Sequence, residues 1–328
     1  MHPSRALFQD QLTPVFLPVC DHYAGSEKLM RKSMALQQKL GPIFDITFDC
    51  EDGAATGDEA NHAKLVCTLL NSSDNQHQRI GVRVHDINHE AFDLDLSLII
   101  PLAAKKLAYI VLPKVSSATQ VANAIEQINN YAFTAGRNHL PIHVLIETHE
   151  ALADVMAIAA LPQVECLSFG IMDFVSSHFG AISSTAMHSP GQFEHPLVAR
   201  AKTEIAAACH RFGKVPSHSV TTEIKDLSVV ENDAFRAKHE FAYTRMWSIH
   251  PDQIAPIVQT MAPQHKEICE ATDILLSAQN NQWAPIQYAG KLHDRASYRY
   301  FWSILKRAKS SAITLPEMAY ALLEGDPE

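Results

Sequence analysis

Paired cysteines are missing from this chain. Its six cysteines, Cys20, Cys50, Cys67, Cys166, Cys209 and Cys269, are scattered through 328 residues with no Cys-x-x-Cys spacing. This argues against a disulfide scaffold or a thiolate zinc module and points to a reduced, cytoplasmic protein. No uninterrupted apolar stretch lies near the start and none reaches membrane-spanning length, so neither a secretory leader nor a membrane partner is expected. Positive charge is also short: 27 Lys and Arg face 36 Asp and Glu, for a net charge of −9. A nucleic-acid partner would normally demand the opposite balance. The 18 histidines include no His-Glu-x-x-His pattern, which removes the usual zinc-hydrolase signature. Glycine is sparse, at 12 residues, and no Gly-x-Gly-x-x-Gly follows the first apolar run. A doubly wound sheet built to hold a dinucleotide would need that loop.

What is present is a regular alternation. The 47% hydrophobic content suffices for a large core. Apolar runs at 15–19, 44–48, 80–84, 109–112, 142–146, 164–169, 214–216 and 243–249 read as strands, and most are followed by amphipathic segments such as 27–40 and 59–70. Eight strands with intervening helices predict an α/β fold, a (β/α)8 TIM barrel, over residues 1–262. The polar tract 71–78 reads as a loop, and 183–193, rich in Ser, His, Pro and Gly, as a long loop on the catalytic rim. Beyond Pro251 the pattern turns helical (253–261, 266–279, 298–309), predicting a C-terminal helical extension, residues 263–328, that acts as a lid or a subunit contact.

Polar residues gather where these strands end. Glu51 and Asp52 follow the 44–48 run, Arg83 closes Ile80-Gly81-Val82, Glu147 follows 142–146 and Asp173 follows 164–169. Barrel enzymes carry their chemistry at the C-terminal strand ends, and carboxylates converging there suit a hard cation with oxygen ligands. Four of the five also admit a plain reading. Glu147 would cap a helix beginning at His149, Arg83 would pair with Glu51 or Asp52 to close the rim, and those two acids would cap the helix that follows them. On the residues alone the metal and capping readings of Glu147 stay level, and both readings of Arg83 could hold at once.

Seven segments in order resemble the citrate lyase β-subunit-like group of the HpcH/HpaI aldolase family. They are Phe48-Asp49-Cys50-Glu51-Asp52-Gly53-Ala54, Val82-Arg83-Val84, Leu112-Pro113-Lys114-Val115, Ile146-Glu147-Thr148, Phe169-Gly170-Ile171-Met172-Asp173, Ser248-Ile249-His250-Pro251-Asp252-Gln253-Ile254 and Gly290-Lys291-Leu292-His293-Asp294. The resemblance implies a Mg2+-dependent lyase that makes or breaks a carbon–carbon bond beside a carbonyl. Its small-molecule substrate would be a β-hydroxyacyl-CoA, such as malyl- or citryl-CoA, or a related hydroxy or oxo acid. It implies a homo-oligomer, a trimer or hexamer, in which the tail covers a neighbour's site. Glu147 and Asp173 resemble the metal ligands and also touch substrate; Arg83 resembles the catalytic, substrate-gripping arginine. Glu51 and Asp52 resemble an acidic pair that acts through water or holds Arg83, and Asp294 resembles a tail aspartate doing acid–base work next door. Lys114 would be a rim cation or a structural residue, and His250 a hydrogen-bonded anchor.

Three positions depart from the family pattern. Arg83-Val84-His85 replaces Arg-x-Asn, Ser217-His218 replaces an Asp-Gly pair, and Arg245-Met246-Trp247 replaces a Gly-Lys. Placed on the rim, they would shift specificity away from the usual CoA thioesters. Two other functions fit the same frame: a metal-dependent acyl-CoA thioester hydrolase, or a non-catalytic barrel subunit.

Overall fold

Eight short parallel strands close on themselves in the computed structural model, which describes residues 1–8 and 12–324. They are β1 (Cys20–Ala24), β2 (Asp45–Asp49), β3 (Ile80–Arg83), β4 (Leu107–Leu112), β5 (Ile142–Ile146), β6 (Val164–Phe169), β7 (Val215–His218) and β8 (Arg245–Ser248). Each pairs in parallel with the next, and β8 returns to β1, giving the expected (β/α)8 barrel. The expected strand at 15–19 is displaced: β1 begins at Cys20. Pro18 has no N–H to give a ladder, and the polar segment Cys20-Asp21-His22-Tyr23 forms the strand because its side chains find partners inside the barrel.

Those partners form a charged core. Arg245, with no exposure at all, reaches Asp45 Oδ2 at 2.7 Å and Asp21 Oδ2 at 3.2 Å. Thr47 Oγ1 donates to Asp21 Oδ1 at 2.8 Å, and Tyr109 Oη donates to the same atom at 3.1 Å. Buried charges survive only when paired, and here one guanidinium serves two carboxylates while Arg79 approaches Asp45 from outside. His218, at the end of β7, is equally enclosed and accepts from Lys202 Nζ at 2.7 Å. Ser217, His218 and Arg245 therefore lie inside the fold, not on a substrate rim as the sequence suggested; the hydropathy pattern cannot tell a buried ion pair from a surface one.

The helices lie where amphipathic spacing put them. Glu27–Leu40 matches its expected bounds, with Ser26 accepting from the Leu29 amide at its start and Gly41, at φ 81°, ending it. The 183–193 segment is not open loop: a 3-10 turn at Ser184–Met187 and a helical turn at Gly191–Glu194 occupy it. Gln192 pins it, accepting from Lys202 Nζ at 2.9 Å and donating to Asp233 Oδ2 at 3.0 Å.

The chain parses into two compact units, Val19–Met261 and Met1–Pro18 with Ala262–Glu328. The first holds the whole barrel. The second, which takes in the N-terminal segment that the sequence assigned to the barrel, has its own core of Leu7, Phe8, Ile268, Leu275, Tyr298 and Trp302. It carries the helices His265–Asn280 and Arg295–Ser310 and a hairpin, β9 (Ile286–Tyr288) with β10 (Lys291–His293). The hairpin turns on Ala289 and Gly290, both at positive φ (46° and 79°), the geometry that matches strand twist in a two-residue turn. Among the described residues no helix is long and apolar enough to cross a membrane.

Candidate active site

The site begins with strand parity. On β2, Asp45, Thr47 and Asp49 share one face, and Asp49 is the direct register partner of Arg83 on β3. Register therefore delivers a fork-to-fork ion pair: Arg83 Nε to Asp49 Oδ1 at 2.8 Å and Nη2 to Oδ2 at 2.5 Å. Asp49 is itself held by the Glu51 amide at 3.0 Å and the Gly53 amide at 2.9 Å. Sequence reading proposed Glu51 or Asp52 as the partner of Arg83 and missed Asp49, although its place two residues beyond Thr47 on an alternating strand was a usable signal.

Glu51 does touch Arg83, with Oε2 3.0 Å from Nη1, and its other oxygen meets Lys114 Nζ. Asp52 does not reach the arginine; its Oδ2 lies 2.9 Å from Lys114 Nζ. Partial burial alone would raise the Asp52 carboxyl, but the hydrogen bond and charge of Lys114 carry it below its ordinary value. Burial alone would likewise depress Arg83 and Lys114, yet Asp49 lifts the first and Glu51 and Asp52 lift the second above their ordinary values. Neither Glu51 nor Asp52 caps the following helix, Glu59–Asn71, whose N-cap is Asp58. Lys114 is thus a wall component rather than a free rim cation.

Glu147 stands one residue past β5, 2% exposed. It does not cap the next helix: Thr148 does, accepting from the Ala151 amide at 3.0 Å. Instead Glu147 Oε1 accepts from the Lys114 backbone amide at 2.6 Å, a contact made possible by the positive φ of 49° at Lys114. Its other oxygen lies against Gly170, where an added Cβ would fall 2.3 Å from Oε2. Only glycine leaves room there. Asp173, half-buried in the first turn of the helix Ile171–Ser176, faces the same cavity. Burial, and then the charge of Asp173, push the Glu147 carboxyl up to about 8.

Arg83, Glu147, Phe169, Gly170, Asp173 and Trp247 line that cavity, of about 210 Å3. Trp247 stacks on Tyr23 with ring centres 4.9 Å apart, and the Arg83 guanidinium sits 5.4 Å from the Tyr23 centroid. This aromatic wall was not found in the sequence, because Trp247 sits in a run that reads simply as strand and Tyr23 lies beyond the strand expected at 15–19. A second opening of about 450 Å3 adjoins it, sharing Asp52 and bordered by Glu51, Glu59, His85, His89 and Lys114. Of the departures from the family pattern, only His85 and Trp247 border these openings.

The carboxylates fit a hard cation on their own chemistry. Two acids share one small cavity, one is so confined that its charge is suppressed, and the Glu147 Oε2 atom has no hydrogen bond among the described residues. Among the described residues no group of three or more His, Cys, Asp or Glu gathers as a closed metal cage. Two protein oxygens suit an ion that keeps several waters, as Mg2+ does, better than zinc.

Asp294 belongs to the second unit, exposed at the start of the helix Arg295–Ser310. Its Oδ1 accepts from the amides of Ala296 at 3.0 Å and Ser297 at 3.4 Å, so it caps that helix. His250 caps in a similar way, its Nδ1 accepting from the Asp252 amide at 3.3 Å.

Comparison with known proteins bears directly on this geometry. The model of the HpcH/HpaI aldolase/citrate lyase family matches residues 30–251. A citrate lyase from Burkholderia xenovorans LB400, known from its crystal structure, is 55% identical, with a TM-score of 0.84 over 98% of this chain and 99% of that one. An L-malyl-CoA/beta-methylmalyl-CoA lyase of Cereibacter sphaeroides is 25% identical over 282 residues, 80% of this chain and 87% of that protein. The protein CitE of Mycobacterium tuberculosis, solved with magnesium, acetoacetate and coenzyme A, shares the fold at 18% identity, with a TM-score of 0.63 over 91% of this chain and 98% of that one. With an arginine and two carboxylates gathered at the C-terminal ends of its barrel strands, the chain belongs to the HpcH/HpaI aldolase/citrate lyase family and is a carbon–carbon lyase.

Proposed function

We propose that this enzyme is a Mg2+-dependent lyase that cleaves, or in reverse forms, the bond between the α and β carbons of a β-hydroxyacyl thioester or a related hydroxy or oxo acid. The observation that carries the proposal is Glu147: a carboxylate raised to about 8 beside Asp173, in a cavity that also holds Arg83. Such a pair is poorly placed for a structural role, since it costs stability until a cation joins it. The family relatives named for malyl-CoA and citrate cleavage support the reaction class, and the magnesium in the Mycobacterium tuberculosis complex supports the metal.

Held by Glu147 and Asp173, Mg2+ would supply positive charge where the enolate develops. The remaining work falls to the chain. Arg83 would bind the substrate carboxylate or oxo oxygen with the edge of its guanidinium that Asp49 and Glu51 leave open, and it stays charged at any working pH. Asp49 and Glu51 would fix its plane before substrate arrives, so little reorganisation is needed as charge grows. Phe169 and the Trp247–Tyr23 stack would exclude water from the enolate carbon. A cavity of about 210 Å3 suits a small acid fragment, and the adjoining opening would receive the rest of the substrate. Asp294 of a neighbouring copy would return a proton to the enolate carbon, using the oxygen that does not cap its own helix.

Product analysis tests the proposal. With malyl-CoA, citramalyl-CoA and the corresponding free hydroxy acids, wild-type enzyme and Mg2+ should release an aldehyde or 2-oxo acid. Release of free thiol with an intact hydroxy acid would instead identify a thioester hydrolase.

A further inference from the structure

His85 stands where the family pattern carries asparagine, and its surroundings are those of a working imidazole. It lies two residues beyond Arg83, just past the end of β3, and borders the larger opening, which adjoins the Arg83 cavity. Its Nδ1 is 2.7 Å from Asp95 Oδ2, and its own backbone amide donates to the same oxygen at 2.9 Å. Asp95 is wholly buried, at the start of the helix Phe92–Ala103, and its Oδ1 finds no other partner among the described residues. A carboxylate in that position fixes the tautomer: Nδ1 carries the proton, which leaves Nε2 as the basic nitrogen of a residue that borders the larger opening. The His89 ring stacks on it at 4.7 Å and takes the opposite tautomer, since its Nδ1 accepts from the Ala91 amide at 3.1 Å.

We propose that His85, oriented by Asp95, is a further acid–base residue of the lyase, taking the proton of the substrate's β-hydroxyl group in cleavage and returning it in condensation. The inference rests on the lyase reading above, which leaves that proton without a named acceptor. In cleavage the O–H proton moves to Nε2, the O–H electron pair becomes the second carbonyl bond, and the carbon–carbon pair passes into the enolate. The imidazolium then gives its proton to solvent and the enolate carbon takes one up, so no net proton is consumed. Asp95 is a positioning residue: it touches His85, not substrate.

The charged groups around the ring favour this role. Asp95 raises the imidazole's proton affinity through its hydrogen bond, partial burial opposes it, and Glu59 and Glu51 add to the rise from the neighbouring helix and the β2 loop. Asp86 and Asp52 border the same opening, and Lys114, already bound to Glu51 and Asp52, adds little opposing charge. The base is therefore active only when neutral, and cleavage should lose rate as pH falls through a value above that of an ordinary histidine.

The test compares wild type with H85N, H85Q and D95N under saturating Mg2+, using the hydroxyacyl substrate that wild type cleaves. H85N restores the family residue and can still donate to Asp95, so folding is preserved and is checked by thermal melting. The proposal expects kcat to fall about 100-fold in both His85 variants with KM changed by less than about threefold, and the acidic limb of the pH profile to vanish. D95N should keep that limb but move it to lower pH. A folded H85N with wild-type kcat and an unchanged pH profile would overturn the assignment while leaving the lyase reading intact. No aldehyde or oxo acid from wild type across the whole panel would overturn the lyase reading, and this assignment with it.

Discussion

At the scale of single residues, the account turns on charge that the fold confines. Glu147 has an ordinary value of 4.5 and is raised to about 8 by burial and by Asp173. The folded state therefore holds a proton that the unfolded chain releases, and the stability this residue contributes falls as pH rises through that window. Glu147→Gln keeps an acceptor for the Lys114 amide and removes the confined charge. Metal-free E147Q should melt with wild type near pH 4 and above it near pH 9, as scanning calorimetry would show; equal melting at both would mean that the carboxylate is not confined as described. Arg83 is the second such residue. Arg83→Lys cannot keep both the bidentate grip of Asp49 and the contact with Glu51. Steady-state kinetics should show kcat/KM lower by about 100-fold or more, most of it in kcat if the arginine acts on the enolate. Arg83, Glu147 and Asp173 stood out in the sequence because each ends an apolar run. Asp49 did not, because its role depends on which strand lies beside it, a fact of register that one strand's own residues do not carry.

At the scale of elements, the interior of the barrel and the caps explain what the apolar pattern hid. The strands β2 to β6 were legible to within one or two residues because each carries apolar residues along its length and polar residues at or just beyond its end. β1, β7 and β8 were misplaced by one to several residues, since Asp21, His22, His218 and Arg245 are buried polar groups satisfied by partners far along the chain. That network should be costly to break from one side. Arg245→Ala leaves Asp21 and Asp45 facing each other and should destabilise the fold by about 3–5 kcal/mol, read from the urea midpoint. Asp294 shows how a cap and a catalytic group can be separated. Asparagine caps as well as aspartate, so Asp294→Asn should keep the melting temperature while lowering turnover; Asp294→Ala should lose about 1 kcal/mol of stability as well. Unchanged turnover in D294N would leave the residue as a cap alone.

At the scale of the whole molecule, the chain divides into a barrel unit and a second unit that carries Asp294 on its own helix end. The alternation of strands and helices and the helical pattern beyond Pro251 led to the expectation of a barrel and a C-terminal extension, while the joining of residues 1–18 to the C-terminal segment was invisible because nothing in their composition says which core they share. If Asp294 serves a neighbouring copy, two inactive variants should rescue each other. Mixing R83K and D294N subunits through dissociation and reassembly should restore about a quarter of the wild-type rate per site, since one pairing in four joins an intact arginine to an intact aspartate. No recovery in a verified mixed oligomer would place that acid elsewhere. The central claim is narrower, namely that Glu147 and Asp173 jointly hold one divalent ion. Calorimetric titration of Mg2+ near pH 7, repeated in buffers of different ionisation enthalpy, measures both the binding and the proton it displaces. The account predicts one site per chain, proton release on binding, and loss of the site in both E147A and D173A; undiminished Mg2+ binding in either variant would contradict it.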